Sequence, residues 1–486
     1  MTTITRAEVH NEIYVGGQWR TPSSTDILAT IDPATEEVLG RTVAAGPADV
    51  EAAVDFARAA LDDGPWGQLK LDERIDILGR VAAEIEQRQS ELGRLIVQET
   101  GAPAATVTGQ AGQVFGTIMF IRVFSDLARG FAFREERSGM FGRSIVRRDP
   151  VGVVGAIVPW NVPFAMSVLK VVPALLAGCA VILKPSPETP LDSFIFADIF
   201  NRAGLPHGAL SVLPGGIEVG RALVAHPGVQ KITFTGSTAV GRSIGTVGGG
   251  QLKRMSLELG GKSAAVVLED ANIDTLIPSL IESGLGDNGQ QCFALTRILV
   301  PRSRQNKIVD ALATHMRKMK IGDPFDEATT MGPLISARQR ERVEGYIRLG
   351  LESGATLAVG GGRPAELSRG WYVEPTLFTN VDNASRIAQD EIFGPVLSVI
   401  PYRDLDDAVR LANDSEYGLA GAVYTSDVEL GQQVAARIQT GTVGINGLQF
   451  NLLAPFGGVK SSGIGREWGP EQLASFTELK VIGLGR

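Results

Sequence analysis

An α/β fold with two separate parallel sheets is what this sequence predicts, on three observations. Short apolar segments alternate with helical ones between Val151 and Leu268, and the alternation resumes from Thr296. At 486 residues the chain is too long for one compact core. Its 58 glycines exceed the ~7% of ordinary usage without a collagen period or low-complexity tract, which points to tight turns and loops that approach a ligand.

Residues 13–40 read as short strands and turns. Pro47-Ala48-Asp49-Val50 opens a helix to about Leu61. One helix is expected from Leu71 to Glu99, because Ile75, Leu78, Val81, Ile85, Leu92 and Ile96 recur at three- and four-residue steps, with Gly101 as its cap. Arg134, Glu135, Glu136, Arg137, Arg143, Arg147 and Arg148 mark an extended arm or hairpin, which suits a solvated ribbon and a subunit contact equally.

Strands are then expected at Val153–Val158, Ala180–Leu183, Leu210–Leu213, Lys231–Phe234 and Ala264–Leu268, with helices at Pro163–Leu176, Leu191–Ala203, Glu218–Ala225 and Thr238–Gly245. Such spacing implies a parallel sheet covered on both faces, with ligands at the carboxyl ends of its strands. Strands at Thr296–Val300, Val396–Pro401 and Ala420–Tyr424, with helices near Asn306–Met319, Ala337–Ser353 and Leu405–Ala412, make a second α/β unit.

Composition excludes several classes of function. A net charge of −8 and a pI near 5.3 argue against a nucleic-acid partner. The uncharged run from Pro150 to Leu169 is interrupted by Gly152, Gly155, Pro159, Asn161 and Pro163, too densely for a membrane span. Residues 1–8 lack the apolar region of a secretory signal, and two cysteines make no disulfide framework, so a reducing, cytoplasmic setting is expected. His10, His207, His226 and His315 are scattered without ligand spacing, so no metal is expected.

The candidate chemistry centres on Cys292, in the polar, glycine-bearing stretch 286–294. A cysteine in such a turn is a candidate nucleophile, although taken alone a buried structural thiol is the commoner case. Cys179, in the apolar stretch 173–183, fits that commoner case. Asn161, after the first strand, suits either a preorganised amide donor or a helix N-cap. Lys184, after the second, suits a ribose or phosphate contact or a solvated strand end. The glycines and helix start of 234–241 suit a pyrophosphate, though Ser237 and Thr238 break the dinucleotide fingerprint. Glu258, beside Gly260 and Gly261, suits a general base or an exposed turn.

Together these segments closely resemble the aldehyde dehydrogenase superfamily. The matching order is Pro159-Trp160-Asn161, Lys184-Pro185-Ser186, Phe234-Thr235-Gly236-Ser237, Glu258-Leu259-Gly260-Gly261-Lys262 and Asn288-Gly289-Gln290-Gln291-Cys292. Glu391-Ile392-Phe393-Gly394-Pro395, Gly444-Ile445-Asn446 and residues 455–463 follow, so the resemblance covers essentially the whole chain.

The resemblance implies two Rossmann-like parallel-sheet domains plus a small β oligomerisation arm. The cofactor domain would comprise residues 1–127 and 149–260, the arm 128–148 and 470–486, and the catalytic domain 261–469, in a homodimer or homotetramer. Cys292 would attack the aldehyde, Asn161 and the backbone N–H of Cys292 would hold the oxyanion, and Glu258 would activate water against the thioester. Val158, Trp160, Lys184, Gly216, Gly236, Ser237, Leu259, Glu391 and Phe393 would bind the cofactor; Lys170 matches a family lysine that suits a structural ion pair. Val162, Met166, Leu169, Phe293 and Phe456 would line an apolar substrate tunnel, implying a neutral aldehyde. Many family members grip the adenosine ribose with a glutamate three residues after the lysine. Here that place is Pro187, with Glu188 one step on, so NAD is expected and NADP use becomes open. A CoA-acylating relative and a non-catalytic binding protein on the same scaffold are the competing readings. Glu258 argues against the first, and the retention of Cys292, Asn161 and Glu258 together against the second.

Overall fold

Residues 9–106, 110–140 and 142–484 are described by the structure, a computed structural model. Among them the strands form four sheets, two of them large. In the first large sheet the parallel strands Arg254–Glu258, Lys231–Thr235, Val153–Ile157, Ala180–Lys184 and Leu210–Val212 lie side by side. Val153–Ile157 and Ala180–Lys184 are buried throughout, as strands covered on both faces must be. From the central strand Val153–Ile157 the chain crosses first to one side and later to the other. The loops at 158–163 and 235–238 therefore open a crevice at this switch point.

The second large sheet runs Thr356–Val359, Thr376–Thr379, Val396–Tyr402, Arg297–Pro301, Ala264–Val267, Ala420–Tyr424 and Thr442–Ile445. All its pairings are parallel except that of Thr356–Val359 with Thr376–Thr379. Only residues 259–263 join strand Arg254–Glu258 of the first sheet to Ala264–Val267 of the second. The carboxyl edge of one sheet therefore faces the start of the other.

The charged arm is a hairpin, Arg134–Gly139 with Gly142–Pro150, and Thr477–Leu484 pairs antiparallel along its second strand. The hairpin's strands lie within 134–150, and the preceding helix ends at Gly130. Strand Gly463–Ile464 joins the edge of the first sheet, so the chain after residue 261 is not confined to the second.

Several helical features differ from the sequence reading; the helices Ile273–Leu285, Val428–Ala435 and Gly469–Ser475 are absent from it. The expected helix from Leu71 to Glu99 is two helices, Leu71–Gln87 and Gln89–Thr100, broken at Arg88. There φ is −103° and ψ 12°, and the guanidinium bridges Glu91 and Asp198. Gly101 caps the second helix in the left-handed conformation, as expected. The helix Gln110–Gly130 was not anticipated. Val114, Phe115, Ile118, Met119, Phe120, Ile121 and Phe124 surround it too fully to show one apolar stripe.

Cys179 is fully buried, and its carbonyl accepts the indole N–H of buried Trp66 at 3.0 Å. Burial pushes its thiol up to about 11, so this cysteine belongs to the core.

Lys170, on the helix Pro163–Leu176, pairs with Glu467 near the C-terminus, and both are buried. Its Nζ also donates to Thr233 Oγ1 at 3.2 Å. Breaking a buried pair strands the remaining charge at a cost of about 3–5 kcal/mol. Lys170→Met should therefore lower thermal stability strongly, whereas Lys170→Met with Glu467→Leu should recover most of it. Differential scanning calorimetry of the three proteins checks this, and a double variant as unstable as the single would contradict it.

Candidate active site

The loop carrying Cys292 begins with a backbone turn of unusual hand. Asp287, Asn288 and Gly289 are consecutive left-handed residues, with φ of 52°, 58° and 73°. Two of them carry side chains, which such a conformation disfavours. Asn288 compensates with three hydrogen bonds: Nδ2 donates to Gly101 O at 3.1 Å and Pro333 O at 2.9 Å, and Oδ1 accepts from Gly332 N at 2.7 Å. At Gly289 a Cβ would lie 2.4 Å from the Gly394 carbonyl carbon, so only glycine fits.

Asn161 does not cap its helix. The N-cap of Pro163–Leu176 is Val162, with no side-chain cap. Instead Asn161 Nδ2 donates to Gln290 O at 2.8 Å, which holds the amide beside the nucleophile loop. Gln290 also reaches the second unit, where its Oε1 accepts from Ile335 N at 3.1 Å.

Glu258 ends strand Arg254–Glu258 and is buried rather than exposed. Neither carboxylate oxygen has a hydrogen-bond partner among the described residues. Burial holds this carboxyl well above the usual range; Glu467 adds to the rise, and Lys170 and Arg466 oppose it. The segment after it lies against the nucleophile: a Cβ on Gly261 would stand 2.3 Å from Cys292 O.

Asn161, Glu258 and Cys292 line one cleft of roughly 1280 Å³. Cys292 keeps part of its surface open. Burial, then Glu391, Glu258 and Glu467, push its thiol above the ordinary range, which favours the neutral thiol at rest.

The cleft also gathers most of the expected cofactor residues. Trp160, Gly236, Ser237, Leu259, Glu391 and Phe393 line it. Ser237 caps the helix Thr238–Gly250 by accepting from Val240 N at 3.4 Å, so that helix's amino end faces the crevice. Glu391 Oε1 accepts from Gly261 N at 3.1 Å, and burial pushes this carboxyl up to about 7. Trp160 meets Phe393 edge to face, with ring centroids 5.2 Å apart. Lys184 and Gly216 lie at neighbouring strand ends outside the cleft lining. Lys184 is buried with Nζ donating to Pro185 O at 2.8 Å, and burial lowers its pKa to about 8. Further donor capacity remains on that ammonium for a ribose hydroxyl. Val158 differs: its side chain is buried in the core and its N–H donates to Lys184 O. A preorganised helix amino end, a buried lysine and a buried carboxylate fit a dinucleotide.

The other end of the cleft is aromatic. Val162, Met166, Leu169, Phe293 and Phe456 line it as expected. Sequence reasoning missed Phe450 and Trp468, which complete the wall. Phe450 lies 4.7 Å from Phe293, 5.7 Å from Phe456 and 5.5 Å from Trp468, and Trp468 lies 4.8 Å from Phe456. These residues stand far along the chain from Cys292, and no motif marks them. Also missed were Gln339, whose Nε2 donates to Phe393 O at 2.7 Å, and Arg342, which donates to Glu391 O. Both hold the loop that presents Glu391.

Residues 19–482 match the family model described as the aldehyde dehydrogenase family. A geranial dehydrogenase of Castellaniella defragrans is 47% identical over 97% of this chain and 98% of its own length. A 3-succinoylsemialdehyde-pyridine dehydrogenase of a Pseudomonas species is 39% identical over 97% of this chain and 98% of its own. Among solved structures, a Mycobacterium tuberculosis aldehyde dehydrogenase complexed with NAD+ superimposes with a TM-score of 0.96 at 47% identity, covering 99% of both chains. A cysteine-to-alanine variant of Pseudomonas syringae aldehyde dehydrogenase C, with NAD+ and octanal, superimposes at 0.94 and 38% identity, covering 97% of this chain and 96% of its own.

The electrostatics of the thiol yield a measurable outcome. Iodoacetamide at pH 8 should label Cys292 and spare buried Cys179. Glu391→Gln should speed that labelling several-fold, because removing a carboxylate that raises the thiol's pKa enlarges the thiolate fraction. Peptide mass spectrometry reads site and rate together. Unchanged or slower labelling in the variant would contradict the electrostatic account.

Proposed function

The chain belongs to the aldehyde dehydrogenase family, and on that premise we propose that it oxidises neutral, apolar aldehydes to carboxylic acids with NAD, using Cys292 as nucleophile. The observation that carries this reading is the convergence of Asn161, Glu258 and Cys292 in one cleft between a crevice suited to a dinucleotide and an aromatic wall.

Each residue has a distinct task. The sulfur of Cys292, once deprotonated, bonds the carbonyl carbon and leaves an oxyanion. The amide of Asn161, already aimed at the Cys292 loop, and the backbone N–H of Cys292 hold that oxyanion; one such donor is worth about 3 kcal/mol in the transition state. The cofactor, when bound, supplies the acceptor for the aldehyde's hydride. Glu391 and Phe393 position its nicotinamide ribose, while Trp160, Gly236, Ser237 and Leu259 border its path. Glu258 then takes a proton from water, whose oxygen attacks the thioester carbon and expels the Cys292 sulfur. Its raised pKa makes it a stronger base than an ordinary carboxylate.

The carboxylates of Glu258, Glu391 and Glu467 around the thiol disfavour an acidic aldehyde. The wall of Phe293, Phe450, Phe456 and Trp468 favours aliphatic, aromatic or unsaturated chains, in keeping with the geranial and octanal of the relatives' names. NAD is preferred to NADP, a choice supported by the NAD+ complexes of the similar structures. Water rather than CoA releases the acyl group, because Glu258 is retained. Exposed Leu479, Val481 and Ile482 on the outer strand of the arm sheet support a homodimer or homotetramer. The cofactor half is taken as 1–127 and 149–260, the catalytic half as 261–469 and the arm as 128–148 with 470–486. Among the described residues no helix is long and apolar enough to cross a membrane. Two free cysteines suit a reducing, cytoplasmic setting.

Two measurements test the reading. Glu258→Gln should give one burst of NADH per active site and then stall, with the acyl group trapped on Cys292 and visible by intact mass. Absence of the burst with normal NADH binding would remove Glu258 from acyl release. Across unbranched aldehydes, kcat/KM should rise about fourfold per added methylene until the tunnel is filled, the worth of one buried methylene. Succinate semialdehyde should be a poor substrate; if it is the best of the panel, the apolar assignment is wrong.

A further inference from the structure

At the adenosine end of the cofactor crevice the chain departs from the family pattern. Pro187 occupies the position where a ribose-binding glutamate is usual, and proline offers no side-chain acceptor. The structure shows where the next carboxylate goes. Glu188 follows in the same loop, and its charge opposes the lowering of the Lys184 pKa. Both its oxygens are held: Ser186 Oγ donates to Oε2 at 2.6 Å, and Arg338 Nη2 donates to Oε1 at 3.2 Å.

Arg338 comes from the far side of the crevice, in the first turn of the helix Ala337–Glu352. Its side chain is 84% exposed and that of Glu188 25% exposed, so the pair contributes little to stability. Its consequence is orientation. The same stretch of helix carries Gln339 and Arg342, which hold the carbonyls of Phe393 and Glu391. One helix start therefore touches both ends of the crevice, through Glu188 on the adenosine side and through the Glu391–Phe393 loop on the nicotinamide side.

We propose that Glu188 takes over the missing glutamate's task, accepting the adenosine ribose hydroxyls beside Lys184, and that Arg338 positions it and links it to the loop presenting Glu391 and Phe393. The inference rests on the reading of this crevice as a nicotinamide-dinucleotide site that prefers NAD. A carboxylate with two oxygens is a bidentate acceptor for a vicinal diol and repels a 2′-phosphate. Arg338 is the exposed cation that such a phosphate meets once the carboxylate's charge is gone. Glu188 thus sets the preference for NAD, and its removal exposes a latent site for NADP.

Equilibrium fluorescence titrations with NADH and NADPH, without turnover, test this. The wild type should bind NADH more tightly. Glu188→Gln should weaken NADH about tenfold, the worth of one hydrogen bond to a charged acceptor, and tighten NADPH. Adding Arg338→Ala should abolish the NADPH gain, and Arg338→Ala alone should raise the KM for NAD with little change in kcat. Should Glu188→Gln unfold, Ser186→Ala, which frees one carboxylate oxygen, must move the NADH-to-NADPH ratio in the same direction. A ratio unchanged in the Gln variant, with both cofactors weakened equally, would reduce Glu188 to a loop brace and overturn the inference. A wild type that binds NADPH more tightly would instead overturn the NAD reading beneath it.

Discussion

The left-handed turn at Asp287, Asn288 and Gly289 sets where Cys292 stands, and much of the architecture serves to hold it. Each non-glycine residue in that conformation costs about 1–2 kcal/mol. The three hydrogen bonds of the Asn288 side chain, at about 1 kcal/mol each, offset this. Their partners come from distant places: Gly101 ends a helix that packs with the first unit, while Gly332 and Pro333 precede the helix Ala337–Glu352. Gln290 adds Asn161 on one side and Ile335 on the other. The Cys292 loop is thus fastened to both halves of the chain, and the Asn161 amide is fastened to that loop.

Close backbone approach brings Glu258 to the same place. Residues 259–263 carry the chain from one sheet to the other, and Gly261 passes so near Cys292 O that no side chain fits between them. Gly261 N also donates to Glu391. The short link therefore touches Glu258, the Cys292 loop and the Glu391 carboxylate within a few residues.

Around the thiol this packing concentrates negative charge. Glu258, Glu391 and Glu467 all raise the pKa of Cys292, and Lys170, paired with Glu467, is the buried cation that tempers the charge on Glu258. Such a field favours the neutral thiol over the thiolate. Beyond that field stand the aromatic rings of Phe293, Phe450, Phe456 and Trp468.

Element type and order were legible in the sequence, because buried parallel strands and amphipathic helices leave short-range periodicities. Legibility failed where those signals fail: at Arg88, where distant Asp198 helps hold the break, and at Gln110–Gly130, apolar nearly all round. Of the site, Cys292, Glu258 and Asn161 were readable as residue types in suggestive local settings. Whether each was functional or structural was not, since a helix cap was the better local reading of Asn161 and an exposed turn an equally good one of Glu258. The tertiary structure decided those alternatives by where each side chain stands: against Gln290 O for Asn161, and buried without a hydrogen-bond partner for Glu258. It alone supplied Phe450, Trp468 and Arg338, because a tunnel wall and an ion pair across a crevice are made by residues separated by most of the chain. The amino-acid sequence by itself determined which chemical groups this protein has and the order of its strands and helices. Only the folded chain decided which of those groups meet, because burial and distance, on which pKa and reactivity depend, do not exist until the two sheets close on one cleft.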